Sequence, residues 1–313
     1  MSFTLAVSAA SADSCAALTR RALATDASVM PVPGPAAVAW RSEDGRAAVL
    51  RWGGEAPADL AGPGNETIRA GEDGSSVTAR TSLTRIDPVY AAELPGAVIL
   101  SGRAMWAAWV ADRLGDLDPS HACALLNPGF PLGATTPWRG VSALPPAATA
   151  RAASGRLIVR ADSPSAGSPP AGHAGDASLA APVAAALVAA VAPLKEAGEP
   201  VRLSLTGGKD SRLVAAALVA AGVPVEATTH GFGEHPDVTV AAEVARRLGI
   251  EHAPVTPAEP GQRADVLARV RASVLVADGM LSAFENVGRP DPSRSPALTA
   301  GGRGGELLRG GYA

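Results

Sequence analysis

The hydrophobic pattern changes character part-way along the chain. Before residue 162, short apolar bursts such as Ala47–Leu50 and Ala97–Leu100 alternate with Gly/Pro turns, and Arg156–Arg160 is an apolar run with charged ends. Short runs punctuated by turn residues predict an α+β region rich in short strands. Residues 162–176, DSPSAGSPPAGHAGD, are small, polar and rich in Pro and Gly. Such a segment has too little apolar surface to order itself and reads as a linker.

After the linker, longer apolar-periodic segments alternate with short β-type runs. Residues 178–197 form an alanine-rich helix, with Pro182 in its first turn and Pro193 ending or kinking it. The charge-free part is broken by proline, so a packed helix is expected rather than a membrane span. Val201–Leu205, Val225–Thr229, His252–Thr256 and Pro296–Ala300 read as strands. Ser211–Ala221, Asp237–Leu248 and Gln262–Val276 read as helices, the first two closed by Gly222 and Gly249 as left-handed caps. Strand–helix alternation implies βαβ units, a parallel sheet and an α/β fold of the doubly wound type. The expected organisation is an N-terminal α+β domain over 1–161, the linker over 162–176, and an α/β domain over 177–313.

Composition narrows the functional classes. At 313 residues the chain is long for one core. A net charge of −3 provides no basic field for nucleic acid or an anionic membrane. Cys15 and Cys123 are its two cysteines, too few for a disulfide framework, and each reads as a small buried hydrophobe in the reducing cytoplasm. No Lys or Arg precedes the mildly apolar start, as a secretory signal would require.

The densest chemistry lies at Leu205-Thr206-Gly207-Gly208-Lys209-Asp210-Ser211. This segment follows a strand and opens a helix. Two glycines let the backbone approach a ligand, and the first-turn N–H groups favour an anion. Thr206 and Ser211 add hydroxyls, and Lys209 adds a positive charge. Asp210 would repel phosphate, but it makes sense as a Mg²⁺ ligand. The alternative is a tight strand–helix turn in which Asp210 and Ser211 only cap the helix.

This loop resembles the Ser-Gly-Gly-x-Asp-Ser pyrophosphate loop of the ATP-pyrophosphatase (PP-loop) superfamily. More narrowly, it is similar to the asparagine synthetase-like branch, which also holds β-lactam synthetases and lasso-peptide cyclases. Asp237–His252, DVTVAAEVARRLGIEH, resembles that branch's Asp-x-x-x-Ala-x-x-Val-Ala-x-x-Leu-Gly-x-x-His segment. Gly301-Gly302-Arg303-Gly304-Gly305-Glu306 followed by Gly310-Gly311-Tyr312 resembles its second nucleotide motif, and Thr136–Val141 with Leu144–Pro146 resembles the end of its N-terminal domain. The resemblance implies ATP and Mg²⁺ as cofactors, with Leu205 to Ser211, Gly302 and Gly304 around the nucleotide. It also implies Asp210 and Glu306 as catalytic metal ligands. Glu306 stands where the family usually has Asp, and Thr206 where it has Ser.

The implied activity is an ATP-dependent, AMP- and pyrophosphate-forming ligase that adenylates a small-molecule or peptide carboxylate for attack by an amine. Closure of a lactam or macrolactam is one form of it. An ammonia-using asparagine synthetase and a non-catalytic ATP-binding scaffold are the alternatives. The N-terminal domain is expected to be glutaminase-like without the nucleophile, because no cysteine stands near Met1-Ser2-Phe3. A largely helical portion follows the second motif in the family, so the chain is expected to be a fragment or one half of a split enzyme, with a second polypeptide as partner.

The motifs should meet. In an open parallel sheet ligands sit at the carboxyl ends of the strands, where strand order reverses. An order 3-2-1-4 puts both glycine loops beside that reversal. Among the remaining residues, His230, Glu234 and His235 in HGFGEH, with His252, form either a polar loop or a zinc site, although no common zinc spacing is matched. Asp278 and Glu285-Asn286 are either substrate contacts or solvated loop. Trp106 and Trp109 fall at helical spacing and read as core.

Overall fold

The computed structural model of the chain describes residues 3–24, 36–52, 67–82, 85, 88–126, 133–161, 180–256, 266–280 and 298–302. The linker over 162–176 and the stretch 303–313, with Gly304 and Glu306, lie outside them, as do Glu285 and Asn286. Contacts divide the chain into two units: Met1–Gly167 with Asp265–Pro290, and Ser168–Ala264 with Asp291–Ala313. The expected second domain, 177–313, is therefore interrupted in sequence by a segment that belongs to the first unit.

The first unit is α+β, built on two antiparallel sheets. Its strands are β1 (Phe3–Ala9), β2 (Ala36–Arg41), β3 (Ala47–Trp52), β4 (Thr67–Ala70), β5 (Val77–Arg80), β6 (Tyr90–Leu94), β7 (Ala97–Ser101), β8 (Val141–Ala143), β9 (Ala148–Ala153) and β10 (Arg156–Ala161). The sheet orders are β2-β3-β1-β7-β6-β8 and β10-β9-β5-β4. Facing rows from both sheets, including Val49, Val98, Leu100, Ile68, Val77 and Ala150, share one apolar core. The opposite side of the six-stranded sheet packs on helices α1 (Ala12–Leu23) and α2 (Ala104–Val110), where Trp52 and Trp106 meet with ring centroids 4.6 Å apart. Burying both faces explains why β3 and β7 read as continuous apolar bursts. Trp106 is buried and Trp109 packs against the same core, as their spacing predicts. Cys15 is buried in that core, which raises its thiol pKa, whereas Cys123, on helix α3 (Pro119–Leu126), is exposed, contrary to expectation. Of that short helix only His121 is buried, so the opposite side, with Cys123, faces solvent.

The second unit carries a four-stranded sheet in the order β13-β12-β11-β14, with β11 at Val201–Ser204, β12 at Val225–His230, β13 at Glu251–Val255 and β14 at Thr299–Ala300. All three pairings are parallel. Helices α5 (Lys209–Ala220) and α6 (Pro236–Leu248) cover the face bearing Val201, Leu203, Leu205, Val225 and Ala227. Gly222 and Gly249 close these helices at φ of 70° and 68°, the left-handed geometry a Cβ would disfavour. On the other face Arg202, Ser204 and Glu226 are exposed. A right-handed return from β13 to β14 runs back across the sheet, and would put the connecting helix on that side. The helix in that stretch, α7 (Val266–Ala277), groups instead with the first unit, so among the described residues the doubly wound expectation holds on one face only.

Helix α4 (Ala180–Val191) starts two residues before Pro182 and gives way at Pro193 to a 3₁₀ turn over Ala192–Ala197. It was expected to be packed. It lies along α5 with no buried residue, although Val191 at its end packs against the core of the parallel sheet. No helix among the described residues is long and apolar enough to cross a membrane.

Candidate functional site

The site grows from the end of β11. Leu205 is fully buried and its amide donates to the Thr228 carbonyl at 3.0 Å, extending the β11–β12 ladder by one step. The chain then turns sharply into α5, whose N-cap is Gly208. A glycine cap supplies no side-chain acceptor, so the first-turn N–H groups are left to other partners.

Side chains order the loop from within. Ser211 Oγ accepts from the Thr206 amide at 3.1 Å and lies 3.0 Å from Thr206 Oγ1. Thr206 Oγ1 accepts from the Gly208 amide at 3.1 Å, and Arg212 Nε donates to the Gly208 carbonyl at 3.2 Å. That last contact gives Arg212 a place in the loop that its sequence position did not reveal. Lys209 is exposed at the first helical position, and Asp210 is half-buried in the first turn.

The second βα unit holds the loop from behind. Asp237, in the first turn of α6, accepts from the Gly207 amide at 3.0 Å. The buried Thr229 hydroxyl donates to the Leu205 carbonyl at 2.6 Å and lies 2.8 Å from His252 Nε2. Its one proton is committed to Leu205, so Thr229 Oγ1 accepts from an Nε2–H tautomer of His252. Burial lowers the pKa of His252, favouring this neutral form. Neither role was visible in the sequence. Asp237 appeared as the first residue of a helix and of the family-like segment, with no partner assigned. Thr229 gave one weak signal, a polar residue in the inward-facing phase of a strand.

Gly302, after β14, packs directly on the start of α5. A Cβ built there would lie 2.5 Å from Ser211 N, 2.9 Å from Asp210 C and 3.0 Å from Asp210 Cβ. Contact this close is open only to glycine. The carboxyl ends of β11 and β14 are adjacent, and the two glycine-rich segments meet there as the 3-2-1-4 order requires.

His230 lies exposed at the end of β12, and Glu234 and His235 are exposed in the following loop. His235 caps α6, its Nδ1 accepting from the Asp237 amide at 3.2 Å. Among the described residues no group of three or more His, Cys, Asp or Glu side chains converges as a metal site. Asp278 is buried in the first unit against Arg103, which argues for a structural role.

A parallel sheet with a glycine-rich strand-to-helix loop at its order reversal is the architecture in which open α/β units take a ligand. Residues 182–274 match the asparagine synthase family, and over this stretch the chain is asparagine synthetase-like. The match includes the 205–211 loop and the 237–252 segment, and ends before Gly301. No curated protein matches the chain. The family is one of ATP-using ligases, and ATP-dependent amidation or ligation is the general class to which this unit points.

Proposed function

We propose that the chain is an ATP-dependent amide-forming ligase that adenylates a carboxylate and passes the acyl group to an amine, releasing AMP and pyrophosphate. The packing of Gly302 against Ser211 and Asp210 carries this reading, because it unites two glycine-rich segments at one helix N-terminus. There the α5 dipole and loop amides stabilise the negative charge of the leaving pyrophosphate, and Lys209 adds a positive charge.

The donor set suits Mg²⁺. Asp210 opens the helix of a loop suited to polyphosphate and Asp237 binds that loop from α6, and hard carboxylate oxygens at an anion site are tolerable only with a cation present. Asp210 and Glu306 are the proposed ligands, and Mg²⁺ would offset charge developing on the phosphates. Leu205 to Ser211, Gly302 and Gly304 would surround the nucleotide. The remaining protein contribution is positioning of carboxylate against α-phosphorus. The first unit is proposed to be a glutaminase-like domain in a structural role, and lactam or macrolactam closure of a peptide is the proposed form of the reaction.

The test is ATP–pyrophosphate exchange by the 313-residue chain across a panel of carboxylates, including linear peptides and aspartate. Mg²⁺-dependent exchange that requires one carboxylate class and is lost in Asp210→Ala is the expected result. Exchange with aspartate alone, followed by asparagine formation from ammonia, would replace amide closure with asparagine synthesis. ATP binding without exchange by any carboxylate would leave a nucleotide-binding scaffold.

A further inference from the structure

The outer face of the four-stranded sheet in the first unit carries an ordered set of arginines that the ligase chemistry does not use. The inner phase of that sheet, with Ile68, Val77, Ala79, Ala150 and Ala152, is core. Strand alternation therefore turns Arg69, Arg80, Arg151 and Arg160 outward, and all four are exposed.

Their register is specific. Arg69 pairs with Thr78, and Thr78 with Arg151, while Arg80 pairs with Thr149, and Thr149 with Arg160. Each arginine thus has threonine as its direct cross-strand neighbour, and the next arginine on the diagonal. Diagonal neighbours lie about 7–8 Å apart, so the four guanidinium stems form a zigzag across all four strands at that step. A cleft of about 410 Å³ opens among Arg69, Arg80 and Arg151, with Thr78 and Thr149 in its wall.

Two carboxylates of the β4–β5 turn, Glu72 and Asp73, also line this cleft. Asp73, in the β4–β5 turn, pairs with Arg151. Among the described residues Arg69, Arg80 and Arg160 have no carboxylate partner. Like charges set diagonally on a sheet repel, a cost that an anionic occupant would remove.

We propose that this face docks a short acidic polypeptide segment in extended conformation, with Asp or Glu at alternate positions. The zigzag advances by one interstrand spacing, about 4.8 Å, per arginine, and same-face side chains of an extended strand repeat at about 6.8 Å, an offset of about 2 Å per step that the long arginine stems can take up, so successive carboxylates can each reach one guanidinium. A long polyanion fits less well, since its charge would extend over the remainder of a chain whose net charge is −3.

The test uses the full chain and a fluorescent peptide, Glu-Ser-Glu-Ser-Glu-Ser-Glu, with anisotropy as the readout at low salt. Salt-sensitive binding is expected. It should weaken by about tenfold or more in Arg80→Glu and Arg69→Glu, and by several-fold in the milder Arg80→Gln. Arg20→Glu, an exposed charge reversal on α1, serves as the control and should leave affinity unchanged. A peptide of the same composition with its glutamates contiguous should bind more weakly. No binding, or equal loss in Arg20→Glu, would overturn the proposal. Tighter binding of duplex DNA or phosphatidylserine vesicles through Arg69 and Arg80 would likewise overturn the assignment to an acidic peptide.

Discussion

The Asp237 carboxylate accepts the Gly207 amide proton at 3.0 Å, so the first turn of one helix holds the loop that opens another. An acidic side chain thus stands at an amide of an anion-binding loop, which makes its hydrogen bond and its charge separable by mutation. Asp237→Asn retains an acceptor of the same shape and should keep ATP affinity within about threefold, whereas Asp237→Ala should weaken it by about tenfold, the scale of a charge-assisted hydrogen bond. Exchange of the Gly207 amide, followed by NMR, should accelerate in the alanine variant alone. Equal behaviour of the two variants would remove the anchor role.

Gly301 and Gly302 make a matched pair. A Cβ at Gly302 would meet backbone of α5 at 2.5 Å, while one at Gly301 meets nothing within 4 Å. Gly302→Ala must push β14 and the helix start apart. We expect a loss of about 1–3 kcal/mol in urea unfolding, with weakened ATP binding. Gly301→Ala should fall within about 0.5 kcal/mol of the parent. Indistinguishable variants would show that the two glycine segments do not pack as described.

Legibility in the sequence followed the range of the cause. Val201, Leu203 and Leu205 alternate with polar residues, and Gly222 and Gly249 sit one step past apolar-periodic runs, so β11, α5 and α6 were readable from local pattern. The 205–211 loop was readable because glycines, hydroxyls and an acid cluster within one turn. What escaped was non-local. Asp237 touches Gly207 across thirty positions, and Thr229 reaches Leu205 from the neighbouring strand. Nothing local shows that α7 belongs to the first unit, since Arg103 and Asp278 are 175 residues apart. Helix α4 read as packed, yet it has no buried residue, and its local pattern did not show that exposure.

His252 predicts a pH dependence. Burial lowers its pKa from the ordinary 6.5, so the folded state binds the proton less tightly than the unfolded state. Between those two values the unfolded chain carries more protons, and stability therefore falls as pH falls below about 6.5. His252→Gln keeps a side-chain N–H for Thr229 and cannot titrate. Urea midpoints measured between about pH 5 and pH 8 should slope in the parent and flatten in the variant over the acidic part of this range. An unchanged slope would assign it to other groups.

The strongest stability prediction concerns Arg103 and Asp278, both in the first unit. Asp278 ends α7 with φ of 52°, followed by Gly279 at 64°, whose amide closes the helix on the Val274 carbonyl at 2.9 Å. Arg103, at the N-cap of α2, donates through Nε to both Asp278 oxygens at 3.0 and 2.9 Å. Its terminal nitrogen also bonds Asp278, and reaches the Leu275 carbonyl at 2.8 Å. The side chains are only 13% and 5% exposed, so neither charge has water to fall back on. His121 Nε2 lies 3.0 Å from the Gly279 carbonyl and adds a second tie to the same helix end. Arg103→Leu would strand a buried carboxylate and should cost about 3–5 kcal/mol. Arg103→Lys keeps the charge but not the fork, so it should fall between leucine and the parent. Adding Asp278→Asn to Arg103→Leu should recover part of the loss, because the stranded charge is gone. Chemical denaturation of the three variants measures all of this. Arg103→Leu within about 0.5 kcal/mol of the parent would mean that α7 is not held to the first unit by this pair.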